Sequence, residues 1–133
     1  MRKIMAALAL SALVLGGTAA DAREKKTGEE KLAELLDGRI AGEPASCIST
    51  SRSDRLKVID ETAIVYDAGD TIWVNRTKNP SDLDWNDTLV INRLSTQQLC
   101  RLDQVTTIDQ GSGFFSGVVF LEDFVPYKKA NAS

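Results

Sequence analysis

Thr62-Ala63-Ile64-Val65-Tyr66-Asp67-Ala68-Gly69-Asp70-Thr71-Ile72-Trp73-Val74-Asn75 reads as two strands and the turn between them. Each flanking run is rich in β-branched and aromatic residues. Asp-Ala-Gly-Asp between them is turn chemistry, and the arrangement predicts a β-hairpin. The pattern continues on both sides. Cys47 to Thr50, Arg55 to Ile59, Thr88 to Asn92, Val105 to Ile108 and Phe114 to Leu121 read as further short extended segments. Gln110-Gly-Ser-Gly113 is a turn, the glycines around Ser116 read as bulge or close-packing positions, and Pro126 is expected to end the last apolar segment. Short strands separated by turns predict an all-β fold, a small antiparallel sandwich or barrel.

Upstream of the strands, Thr27 and Glu30 have the spacing of a capping box, and Gly38 fits a helix end. Leu32, Ala33, Leu35 and Leu36 lie between them as one apolar stripe. This predicts a short N-terminal helix over 28–37. Gly38 to Ser46, with Gly42 and Pro44, reads as a linker.

The chain begins Met1-Arg2-Lys3, continues without charge from Ile4 to Leu15, and then turns to small residues up to Ala22. A basic start, an apolar core and a small-residue end predict a secretory signal peptide. The apolar core is about 12 residues, short of the roughly 20 that span a bilayer. Cleavage is expected after Ala22, with Ala20 as the competing site. No cysteine follows the apolar core, which argues against a lipid anchor. The expected organisation is a signal peptide over 1–22, a charged leader, short helix and linker over 23–46, a β domain over 47–127 and a C-terminal tail over 128–133. The expected location is periplasmic or secreted, with no membrane insertion after signal cleavage.

Composition narrows the function. The formal net charge of the 133 residues is −3, and loss of Arg2, Lys3 and Asp21 with the leader makes it one unit more negative. That balance argues against nucleic acid, which wants a basic face, and against anionic membranes. The two cysteines, Cys47 and Cys100, predict one disulfide in an oxidising compartment; a pair of buried free thiols is the alternative. The chain has no histidine, so the usual zinc sets and the Ser-His and Cys-His nucleophile pairs are out of reach. No serine is followed by lysine three positions on, and no Cys-x-x-Cys is present. Acidic residues are plentiful, but no spacing singles out the carboxylate pair of a glycosidase. The sequence points away from an enzyme and implies no cofactor.

The loop from Thr77 to Asp87 holds the candidate contact residues Asp82, Asp84, Trp85 and Asn86. Asp82-Leu-Asp84-Trp-Asn86 imitates the first ligands of a calcium loop. Asp87 then stands where the turn glycine belongs and Arg93 where the bidentate glutamate belongs, so it reads as an ordinary polar loop. Trp85 has two readings: an exposed contact for a sugar or a partner protein, or a lid folded over the β core. The expected partner is an envelope or extracellular protein or a glycan. Near this loop lies an internal repeat, Asp70-Thr-Ile-Trp-Val-Asn-Arg76 and Asp87-Thr-Leu-Val-Ile-Asn-Arg93. Antiparallel pairing of the two copies would set Asp70 opposite Arg93 and Arg76 opposite Asp87.

Several short segments carry a resemblance. They are Pro44-Ala-Ser-Cys47-Ile48, Ile59 to Tyr66, Ile72-Trp-Val-Asn75-Arg76, Leu99-Cys100 with Asp103, and Gly117 to Tyr127 ending in Asp-Phe-Val-Pro-Tyr. From Gly38 to Tyr127 the chain resembles a family of small exported proteins of Gram-negative bacteria, a domain of unknown function. The resemblance implies a periplasmic place and a paired cysteine, and it implies no activity. The leading functional expectation is a binding or interaction module of the cell envelope. The alternatives are an inhibitor-like small barrel similar to bacterial lysozyme inhibitors, and a structural or stress-related envelope protein without a discrete ligand.

Overall fold

In the computed structural model of the chain, which describes Gly16, residues 25–52 and residues 55–130, the hairpin forms as the sequence predicts. Its strands are β4 (Ala63–Asp67) and β5 (Thr71–Asn75), paired antiparallel with Val65 opposite Val74 and Tyr66 opposite Trp73. The turn closes through Ala68 N–H to Thr71 C=O at 2.9 Å, and the Asp67 carboxylate accepts the Gly69 N–H at 2.8 Å.

Eight further strands surround this hairpin: β1 (Arg39–Ala41), β2 (Cys47–Ser49), β3 (Leu56–Ile59), β6 (Asp87–Asn92), β7 (Gln98–Cys100), β8 (Gln104–Asp109), β9 (Phe115–Val119) and β10 (Val125–Lys129). They form a five-stranded sheet β1-β10-β5-β4-β3, a three-stranded sheet β6-β8-β9 and a two-stranded ribbon β2-β7, all antiparallel. The fold is therefore all-β with one short helix. The described strands do not close into a barrel.

Alternation along the hairpin explains the layering, because successive side chains of a strand point to opposite faces. Ile64 and Tyr66 face a core with Ile48, Leu83, Leu99, Val105, Val119, Leu121 and Phe124. The five-stranded sheet thus packs on the three-stranded sheet and the ribbon. Ala63, Val65, Ile72 and Val74 face the other way, onto Leu32 of the helix. A strand covered on both faces reads as a continuous apolar run, and β4 is buried from Ala63 to Tyr66.

The helix, α1, spans Gly28–Leu35. Its capping box is complete: Thr27 Oγ1 accepts the Glu30 N–H at 3.2 Å and Glu30 accepts the Thr27 N–H at 2.7 Å. Gly38 follows in the left-handed region at φ 70°, a conformation that favours glycine after a helix. Gly28 is required for another reason. A Cβ there would lie 2.0 Å from Thr62 Oγ1 and 2.2 Å from the Asp60 carbonyl oxygen, so the helix start approaches the β3–β4 turn without room for a side chain. The apolar stripe is narrower than the sequence suggests. Leu32 is buried and Leu36 packs beside it, whereas Ala33 and Leu35 face solvent.

Other expectations are corrected by long-range pairing. The segment read as a linker contains β1, which edges the large sheet beside β10, and Ala45 bridges to Phe124. Pro126 does not end the last segment but sits within β10 between β5 and the end of β1, where its carbonyl accepts the Gly42 N–H at 2.7 Å. The strand β10 continues to Lys129, into the expected tail. The two repeat copies do not pair. The first is β5, between β4 and β10, and the second is β6, against β8. Asp70 and Arg93 are therefore not cross-strand partners.

Cys47 and Cys100 are bonded to each other and lie directly opposite in β2-β7, with Cα atoms 4.0 Å apart. Ser46 C=O takes the Arg101 N–H and Gln97 C=O takes the Thr50 N–H. This phase makes the cysteines a non-hydrogen-bonded pair, the pair type in which side chains come closest. No helix among the described residues is long and apolar enough to cross a membrane. The expected signal peptide and cleavage site fall on residues 1–22, outside the described residues apart from Gly16.

Candidate functional site

The loop between β5 and β6 leaves the sheet at Asn75, which is fully buried. Its amide nitrogen donates to the Glu122 carbonyl at 2.7 Å, and its amide oxygen accepts the N–H groups of Glu122 and Thr77, both at 3.0 Å. Lys78 N–H then donates to the Phe120 carbonyl at 2.9 Å. Between these bonds Thr77 is held at φ 56°, buried, with a hydroxyl that finds no partner among the described residues. A β-branched residue in the left-handed region is strained.

A short 3-10 turn over Pro80–Asp82 follows, and then Leu83 enters the core at 3% exposure. Its carbonyl accepts the N–H of Glu61, the other described non-glycine residue with positive φ, at 50°. Strain of about 1–3 kcal/mol per such residue tends to collect where a surface is being shaped for use. Both strained positions here belong to the support of one loop.

Trp85 comes next and is 63% exposed. Of its two sequence readings, the lid over the core does not hold. The physical reason is the anchoring on either side. Leu83 takes the core position, and the Trp85 N–H is fixed by the Asp60 carboxylate at 2.6 Å. The Asp84 carboxylate accepts the Asn86 N–H at 2.8 Å, and the Asp84 carbonyl accepts the Asp87 N–H at 3.1 Å. The backbone is pinned while the indole stands in solvent.

Two clefts meet at Trp85. The first, of about 700 Å³, runs between the start of α1 and the loop; Lys25, Lys26 and Lys31 line its helix side, and Asp60, Glu61, Asp82 and Asp84 lie on the side of Trp85. The second, of about 580 Å³, lies over Leu56, Val58, Leu89 and Ile91. Asp82, Asp84 and Trp85 are therefore together and exposed. Asn86 is turned to a structural task, its amide donating to Asp109 at 3.3 Å while its carbonyl accepts the Gln110 N–H.

Charge at the site is uneven. On the helix side Lys26 is engaged by Glu34 at 2.6 Å, and the hydrogen bond and charge of Glu34 raise its pKa. Arg76 is paired with Glu29. At the far side Asp109 is held below the ordinary carboxylate range by hydrogen bonds from the Ser112 hydroxyl and N–H, with Asn86 adding to them. No group of three or more acidic or cysteine side chains among the described residues is placed to hold a metal ion.

Sequence reasoning missed Asp60 and Glu61. They lie some 25 residues before Trp85, and only the fold of the β3–β4 turn carries them to it. Comparison with protein-family models, with curated proteins and with solved structures finds no match in any of the three.

Proposed function

We propose that this chain is an exported binding module of the cell envelope, without catalytic activity, whose partner contact is the Trp85 loop. The exposed indole on a pinned backbone carries the reading. On a fixed backbone a tryptophan has only two side-chain torsions to lose on binding, and Trp is enriched among residues that dominate interfaces. Asp82, Asp84 and Glu61 around it favour a basic protein over an acidic one, through charge steering and cation–π contact. The disulfide and the basic, apolar and small-residue order of residues 1–22 support an oxidising, periplasmic setting.

The inhibitor-like variant of this reading has a ready probe, because lysozyme is a basic protein acting in that compartment. Purified oxidised protein is titrated into a lysozyme assay, alongside Trp85→Ala and the double variant Asp82→Asn, Asp84→Asn. Inhibition that both variants weaken supports that variant. Unchanged lysozyme activity removes lysozyme as the partner. A loop that retains no partner in periplasmic extract removes the wider reading. A structural envelope protein without a discrete ligand would then be favoured.

A further inference from the structure

We propose that β9 is the seam of a homodimer, in which two copies pair edge to edge and join their three-stranded sheets into one. β9 is the outer strand of β6-β8-β9. Among the described residues its far edge is engaged only beyond the strand, where Phe120 C=O takes the Lys78 N–H. The bulge at Thr107–Ile108 disturbs its beginning and leaves Gly117 to Val119 in regular register with β8.

Outer strands are normally guarded against such pairing by charge, proline, shortness or a bulge. The other outer strands of the two larger sheets follow this rule: Arg39 lies in β1, Lys57 in β3 and Asp87 in β6. β9 has only the bulge at its beginning. From Gln110 to Phe120 the chain carries no charge, although 26% of its residues are charged. The same segment exposes three phenylalanines, Phe114 at 75%, Phe115 at 66% and Phe120 at 55%. Val118 pairs with Thr106 and Phe115 with Ile108. Thr106 and Ile108 share one face of β8, so Val118 and Phe115 share that face of β9, and Phe120 follows in alternation.

A second copy is the occupant that this edge fits. Two net-negative chains repel, so they associate best where neither presents charge, and an uncharged strand is complementary to itself in antiparallel pairing about a two-fold axis. Taking roughly 200 Å² for each aromatic side chain, the three exposed phenylalanines offer on the order of 400 Å² per copy. That is about half of the ~800 Å² per partner in a standard stable interface. The backbone edge and Val118 lie in the same patch.

Sedimentation velocity on the mature, oxidised protein across a concentration series tests this. The expected result is a species of twice the chain mass at the higher concentrations. Val118→Lys and Phe115→Asp, both at exposed positions, should each weaken dimerisation by roughly tenfold or more, with unchanged circular dichroism. Trp85→Ala should leave the dimer intact. A chain that stays monomeric overturns the proposal, and so does a dimer that survives both edge variants. A monomer that binds another protein through β9, with loss of that binding in Val118→Lys, also overturns it in favour of a different occupant.

Discussion

Asn75 holds both backbone groups of Glu122, donating to its carbonyl at 2.7 Å and accepting its N–H at 3.0 Å. One buried side chain on β5 thus does the work of a strand pairing, joining the large sheet to the segment that leads from β9 to β10. The same oxygen accepts the Thr77 N–H and so also sets the start of the Trp85 loop.

Asn75→Ala leaves three backbone groups without this partner and should cost about 3 kcal/mol, given roughly 0.5–1.5 kcal/mol per hydrogen bond and more for buried groups left unpaired. Asn75→Asp adds a pH signature. A carboxylate cannot donate to the Glu122 carbonyl and is costly at this fully buried position; these two effects outweigh the Glu122 and Thr77 N–H groups that favour the charge, so the folded pKa of the new Asp lies above its unfolded value of about 3.9. Its penalty should grow as pH rises from about 4 through that folded pKa. Urea unfolding of the two variants at acid and neutral pH reads the difference.

The disulfide staples a ribbon of only three residue pairs. Closing a separation of 53 residues should stabilise the fold by about 4 kcal/mol in the chain-entropy model. Paired Cys47→Ser, Cys100→Ser should lower stability by about that amount. Thiol labelling of the denatured, unreduced protein should find no reactive thiol.

Gly28→Ala places a methyl group against the Asp60 carbonyl and the Thr62 hydroxyl, at 2.2 and 2.0 Å. Helix propensity alone would favour alanine by up to about 1 kcal/mol. Overpacking, which costs typically about 1–3 kcal/mol, opposes it and should win because one of the clashing atoms belongs to the backbone. Thermal unfolding should show a lowered midpoint.

Asp109 should titrate below the ordinary carboxylate value, because the Ser112 hydroxyl and N–H stabilise its carboxylate. Ser112→Ala should bring its midpoint up toward the ordinary value, read by NMR of the side-chain carboxyl. A depressed folded pKa stabilises above the unfolded pKa and loses that effect as pH falls through the folded one. The Ser112 contribution should therefore vanish in acid and persist at neutral pH.

Features set by neighbouring residues were legible in the sequence. The β4–β5 hairpin follows from Asp67 to Asp70, and the helix start from Thr27 and Glu30. Cys47 and Cys100 could be paired because no other cysteine exists. Features set by distant partners were not. The strand β10 contains Pro126, Lys128 and Lys129, a poor strand by composition, and exists because β5 and β1 flank it. The repeat copies have equivalent local chemistry, yet their partners are chosen by sheet packing. For the candidate site, residues 82–86 could be proposed from the oddity of a tryptophan among polar neighbours. Its exposure depends on Asp60 and on burial of Leu83, which no local pattern encodes.

The binding reading is tested most directly by quantitative affinity capture from periplasmic extract, comparing the oxidised protein with Trp85→Ala and with the double variant Asp82→Asn, Asp84→Asn. Trp85 is exposed, so its truncation should shift stability by no more than about 0.5 kcal/mol, against about 3–5 kcal/mol for a buried tryptophan. The expected result is a basic protein retained by the parent chain, lost from both variants at unchanged thermal midpoint, and weakened by added salt. Equal capture by the parent chain and both variants would contradict a contact at the Trp85 loop.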